Sequence, residues 1–84
     1  MEQFHTQQQI EQYLKLLISK EIGCNVQEIK ATDEFVIYGF DSFDSILLLD
    51  RLEKVLDLDL NPMLFWEYPT IKKLSARLSE IKKL

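Results

Sequence analysis

Apolar residues recur at helical spacing in three stretches of the chain. Ile10, Tyr13, Leu14, Leu17, Ile18 and Ile22 form the first, in steps of three and four that put side chains on one face of an α-helix. Thr6 followed by Gln9 fits a capping box, and Gly23 suits the left-handed residue that ends many helices. The pattern predicts a helix over residues 7–22. Ser45, Leu48, Leu49, Leu52, Val55 and Leu56 form the second stripe and predict a helix over residues 42–56. Ile71, Leu74, Leu78 and Ile81 form the third. Thr70 caps it, and Lys82 and Lys83 lie at the end where a helix dipole favours cations.

The intervening segments are less regular. Residues 23–41 read as a long loop, and loops of that length in small domains are often functional. Val26, Ile29, Phe35 and Ile37 are predicted to pin it to the core, and Asn25 to cap a single turn through Glu28. Residues 57–61 alternate polar and apolar but are too short for a strand. Pro62 suits the first turn of a short helix capped by Asn61, with Met63, Leu64, Phe65 and Trp66 inside it and Pro69 as its stop. Phe65, Trp66 and Tyr68 are read as closing the core rather than marking a ligand site. The expected fold is all-α: a small four-helix bundle with a long first loop and a short third helix. Two glycines and two prolines leave little punctuation for a many-stranded β fold.

The second helix has more apolar residues than one face needs. Phe43, Ile46 and Leu47 fall outside its stripe. A central helix touching all the others would account for Ile46. Phe43 and Leu47 lie at the N-terminal end and read as a patch for docking a partner. The expected docking surface is Phe43, Asp44, Ile46, Leu47 and Asp50, with Glu53 adding further negative charge.

Just before that helix runs Tyr38-Gly39-Phe40-Asp41-Ser42. Gly39 provides the backbone freedom of a sharp turn. Asp41 and Ser42 are both good capping residues. A helix N-terminus also presents free N–H groups and a positive dipole end to a phosphate, so Ser42 stands where a phosphodiester would be well received. On these residues alone, capping and phosphate attachment both remain open.

Gly39-Phe40-Asp41-Ser42-Phe43, followed by an apolar helix and Leu52-Glu53, resembles the G-x-D-S-[LIF] attachment site of acyl carrier proteins, and the resemblance extends over almost the whole chain. LFWEYPTI at residues 64–71 resembles the matching segment of polyketide-synthase acyl carriers and peptidyl carriers. The resemblance implies a 4′-phosphopantetheine arm, donated by coenzyme A and attached to Ser42, whose thiol carries acyl or polyketide intermediates as thioesters. Asp41 and Gly39 would support the attachment. Implied partners are a phosphopantetheinyl transferase and acyl-loading, condensing and acyl-transfer enzymes. The chain itself would be a carrier and not an enzyme. Asp41 favours an acyl carrier over a peptidyl carrier of nonribosomal peptide synthesis, because Phe40 breaks the double glycine common in the latter. One position departs from the fatty-acid type: the residue five after the serine, often acidic there, is Leu47. The alternative from a different class is a helical interaction module with no prosthetic group, in which Ser42 only caps.

Composition narrows the remaining possibilities. Eighty-four residues make one domain, 1–84, with no room for a deep cleft. Cys24 is the single cysteine and His5 the single histidine, which excludes an internal disulfide and leaves no spacing for a metal or a Cys/His pair. Cys24 reads as a small half-buried residue and His5 as a solvated one. The net charge of −4 is unevenly spread. Residues 28–69 hold ten acids against Lys30, Arg51 and Lys54, whereas the last helix is basic. An acidic field around Ser42 repels nucleic acid and attracts basic protein surfaces. Without an 18-residue apolar run or a signal-peptide pattern, the chain reads as soluble, cytoplasmic and monomeric, with no membrane insertion.

Overall fold

The computed structural model describes Phe4, residues 6–39 and residues 42–82. The described chain has four α-helices: α1 Gln7–Ile22, α2 Ser42–Leu56, α3 Leu64–Glu67 and α4 Ile71–Lys82. Two 3-10 turns, Val26–Glu28 and Phe35–Tyr38, lie in the long α1–α2 connection. Among the described residues there is no strand, only an isolated antiparallel bridge between Glu34 and Thr70. The expected all-α architecture, long first loop and short third helix are all present.

The caps explain the boundaries. Thr6 Oγ1 accepts from the Gln9 N–H at 3.2 Å, and Gln9 Oε1 accepts from the Thr6 N–H at 3.1 Å, a reciprocal box at the start of α1. Gly23 ends α1 with φ 73°, a conformation that costs other residues strain. Its N–H donates to Ser19 O at 2.9 Å. Thr70 Oγ1 accepts from the Lys73 N–H at 3.1 Å and starts α4.

The predicted stripes meet in one core. Ile10, Leu14 and Ile18 of α1, Leu52 and Leu56 of α2, and Ile71, Leu74 and Leu78 of α4 are fully buried. Burying each such side chain contributes roughly 1.5–3 kcal/mol. Ser45 and Val55, placed on the α2 stripe by their spacing, are only half-buried. Cys24 is half-buried against the core. His5 lies outside the described residues.

Three expectations for the connecting segments need correction. Ile29 and Phe35 are buried anchors of the first loop, but Val26 is half-buried and Ile37 is 65% exposed. The cause is the 3-10 turn over Phe35–Tyr38, in which three residues make a turn. Phe35 and Tyr38 therefore share the inner side, and Val36 and Ile37 face out. The third helix begins at Leu64 and not at Pro62. The Leu64 N–H bonds to Asn61 O at 3.0 Å, a tighter turn than an α-helix allows, and Asn61 Oδ1 accepts from the Met63 N–H at 2.9 Å. Trp66 does not close the core, for it is 64% exposed, whereas Phe65 is buried and Tyr68 half-buried.

The end of α2 is held from a distance. Lys82 Nζ on α4 donates to Leu56 O at 2.7 Å, across 26 residues of sequence. This bond satisfies a carbonyl that the helix end leaves without an intrahelical donor. Glu53 Oε2 accepts from the Leu60 N–H at 3.0 Å, fixing the chain just beyond the left-handed Asp57. Lys82→Met keeps the aliphatic stem but loses the donor. It should lower stability by about 1 kcal/mol and the thermal midpoint by about 4–8 °C, as read by circular dichroism.

Candidate functional site

Ser42 is the first residue of α2. The chain reaches it through Gly39, which has φ 72°, lies exposed, and donates its N–H to Val36 O at 3.1 Å. The expected sharp turn is therefore present at Gly39. Phe40 and Asp41 lie outside the described residues.

Three of the other serines are hydrogen-bonded within their own helices. Ser19, Ser75 and Ser79 each donate to the backbone carbonyl three residues earlier, at 2.8, 3.0 and 2.8 Å, and Ser19 and Ser75 are buried. Ser45 is half-buried, one helical turn after Ser42. It lines a groove of about 290 Å³ together with Glu34, Phe35, Val36, Phe65, Trp66 and Pro69.

The surface around the start of α2 is apolar. Phe43, Ile46 and Leu47 are 67%, 56% and 40% exposed. The centrality of α2 does not bury Ile46, so all three apolar residues of the expected docking surface reach solvent. Val36 and Ile37 from the preceding turn, Met63 just before α3 and Trp66 within it are further exposed apolar residues. Asp44 lies in the first turn of α2, where a carboxylate complements the dipole. Asp50 pairs with Lys54 at 3.1 Å, but both side chains are well exposed, and such pairs hold weakly. A partner's cation can therefore compete for Asp50.

The loop that leads to Ser42 is tied down at several points. The Lys72 N–H bonds to Ala31 O at 2.9 Å, and the Phe35 N–H bonds to Pro69 O at 2.9 Å. The Phe35 and Phe65 rings meet edge-on with centroids 5.2 Å apart. Tyr38 Oη accepts from the Lys30 N–H at 2.8 Å and donates to Asp33 Oδ2 at 3.0 Å. Burial pushes the Tyr38 phenol above its ordinary value of 10.0, the Lys30 hydrogen bond opposes this, and the Asp33 carboxylate adds to the rise.

Among the described residues, no group of three or more His, Cys, Asp and Glu side chains could hold a metal ion. No buried side-chain polar atom among them lacks a hydrogen-bond partner. No described helix is long and apolar enough to cross a membrane.

The model for the phosphopantetheine attachment site matches residues 12–78. This chain belongs to that family. It is a carrier protein, and its prosthetic group is covalent 4′-phosphopantetheine. The carrier is 36% identical over 64 residues to the conidial pigment polyketide synthase of Aspergillus fumigatus, a match covering 76% of this chain and 3% of that protein. It is thus similar to a small segment of a much longer relative. Among solved structures, an acyl carrier protein of Anabaena superposes with a TM-score of 0.89 at 32% identity, over 96% of this carrier and 92% of that chain. A free-standing peptidyl carrier protein of Acinetobacter baumannii superposes with a TM-score of 0.86 at 29% identity, over 89% and 94%.

The start of α2 is flanked by exposed Gly39 and Phe43. Trp66, read from the sequence as closing the core rather than marking a ligand site, instead lines the groove beside Ser45. It adjoins Phe65 in a four-residue helix, too short for any periodicity to separate inward from outward positions.

Proposed function

We propose that Ser42 carries the arm and that the domain, residues 1–84, tethers acyl or polyketide intermediates and presents them to partner enzymes. The observation that carries this reading is the placement of Ser42 as the first residue of α2, directly after the Gly39 turn and inside the matched region. The engagement of Ser19, Ser75 and Ser79 with backbone carbonyls supports it by exclusion. Asp41 and Gly39 support the attachment.

The arm supplies a terminal thiol for thioester carriage. The chain's own residues do the rest. Phe43, Ile46 and Leu47 give partners an apolar docking face, and Asp44 and Asp50 bias it toward basic surfaces. The groove beside Ser45 offers an apolar resting surface to a carried group. The carrier is a substrate and not a catalyst: a phosphopantetheinyl transferase supplies the activating base. In that reaction the Ser42 oxygen bonds to the phosphorus that bears the pantetheine in coenzyme A. The diphosphate bond breaks, 3′-phosphoadenosine 5′-phosphate leaves, and the hydroxyl proton passes to the transferase. Holding a thioester on a tether raises its effective concentration at each partner site in turn. The further partners are acyl-loading, condensing and acyl-transfer enzymes, met by a cytoplasmic monomer.

The structural likeness to a peptidyl carrier favours a second reading, a carrier of aminoacyl groups. Asp41 and the interruption of the glycine pair by Phe40 weigh against it.

Intact mass decides the site. After incubation with coenzyme A, magnesium and a broad-specificity phosphopantetheinyl transferase, the wild type should gain one phosphopantetheine and Ser42→Ala none. An alanine variant that still gained the arm would remove Ser42 from the reading.

A further inference from the structure

We propose that Tyr38 is a positioning residue for Ser42: its phenol latches the first loop so that the chain enters α2 from one fixed direction. The proposal rests on the reading of Ser42 as the attachment residue. Tyr38 ends the 3-10 turn, and its hydroxyl group lies between the Lys30 N–H, 2.8 Å away, and the Asp33 carboxylate, 3.0 Å away. Lys30 O lies further off, at 3.4 Å. One phenol thus closes a span of eight residues. A phenol keeps its proton at neutral pH, so the Tyr38 hydroxyl is available to donate to Asp33.

The position of the latch matters more than its strength. The ties from Lys72 to Ala31 and from Phe35 to Pro69 attach the loop to the start of α4, but neither reaches beyond Phe35. The Tyr38 phenol ties the loop three residues further on, four residues before Ser42. From there the chain passes through Gly39, whose left-handed backbone gives the turn its direction but, lacking a side chain, cannot anchor it. A transferase binds the serine in one arrangement. If the untethered loop holds that arrangement only part of the time, apparent affinity falls by that fraction and the chemical step does not change.

The test compares the wild type, Tyr38→Phe and Asp33→Asn with a purified phosphopantetheinyl transferase, coenzyme A and magnesium. Rates are followed by intact mass, and amide hydrogen exchange is measured in parallel. Tyr38→Phe should raise KM for the carrier about three- to tenfold, leave kcat within about twofold, and still reach one arm per chain. Asp33→Asn keeps an acceptor for the phenol and should give a smaller rise. Exchange should quicken at Gly39 and residues 42–44 in Tyr38→Phe and stay unchanged in α4. An unchanged KM, a fall in kcat alone, or faster exchange in α4 as well would overturn the proposal. If the wild type takes no arm, the assignment of Ser42 fails and the positioning role falls with it. If the wild type is modified and Tyr38→Phe behaves identically, only the latch is wrong.

Discussion

Ser42→Asp should abolish the phosphopantetheine mass shift and leave the fold intact. Aspartate is as good as serine at the start of a helix, and its charge complements the dipole there. The substitution therefore preserves any capping role and removes only the hydroxyl oxygen that would bond to phosphorus. Far-ultraviolet circular dichroism should match the wild type, with a thermal midpoint within about 4–8 °C, the range of a change of about 1 kcal/mol in a domain of this size. Modification by the transferase should fall to zero. The outcome separates a carrier from an interaction module, because a module that binds through Phe43 and Leu47 would keep its partner after the change. A folded aspartate variant that still gains the arm would exclude Ser42 as the attachment residue.

The largest effect on stability is expected at Leu52. It is fully buried on α2, and its truncation to alanine loses apolar burial and leaves a cavity. Such changes cost about 2–5 kcal/mol, a large share of the roughly 5–15 kcal/mol that holds a domain together. The thermal midpoint of Leu52→Ala should fall by about 10 °C or more. Leu47, five residues earlier on the same helix, is the control. It is 40% exposed, and Leu47→Ala should change stability by about 0.5 kcal/mol or less. Urea unfolding of both variants compares the two positions directly. Equal losses would contradict the division of α2 into a buried stripe and an exposed face.

The long helices were legible because each had a stripe and a cap. Thr6 and Gln9 set the start of α1, Gly23 its end, and Thr70 the start of α4, and their hydrogen bonds are as the residue types predict. The turn at Gly39 was legible for a similar reason, since few other residues accept φ 72°. The loop was harder to read. Phe35-Val36-Ile37-Tyr38 is apolar throughout, and nothing in its composition tells three residues per turn from an irregular run, so Ile37 looked like an anchor. Trp66 was obscured in the same way by its place in Met63-Leu64-Phe65-Trp66. The bonds from Tyr38 to Lys30 and Asp33 leave no periodic trace at all, because they join residues of one loop through a side chain. The motif singled out Gly39 and Ser42, while the exposure of Trp66 and the bonds of Tyr38 became visible only with the chain folded.

The outward side of the 3-10 turn has a consequence for how such a domain can diversify. Phe35 and Tyr38 hold the loop to the core, and Val36 and Ile37 between them touch mainly solvent. Substitutions at the outward pair can therefore accumulate while the inward pair stays fixed. A lineage acquiring a new set of enzymes can redraw the surface of the loop that leads into α2 two residues at a time, with the scaffold beneath buffered against the change.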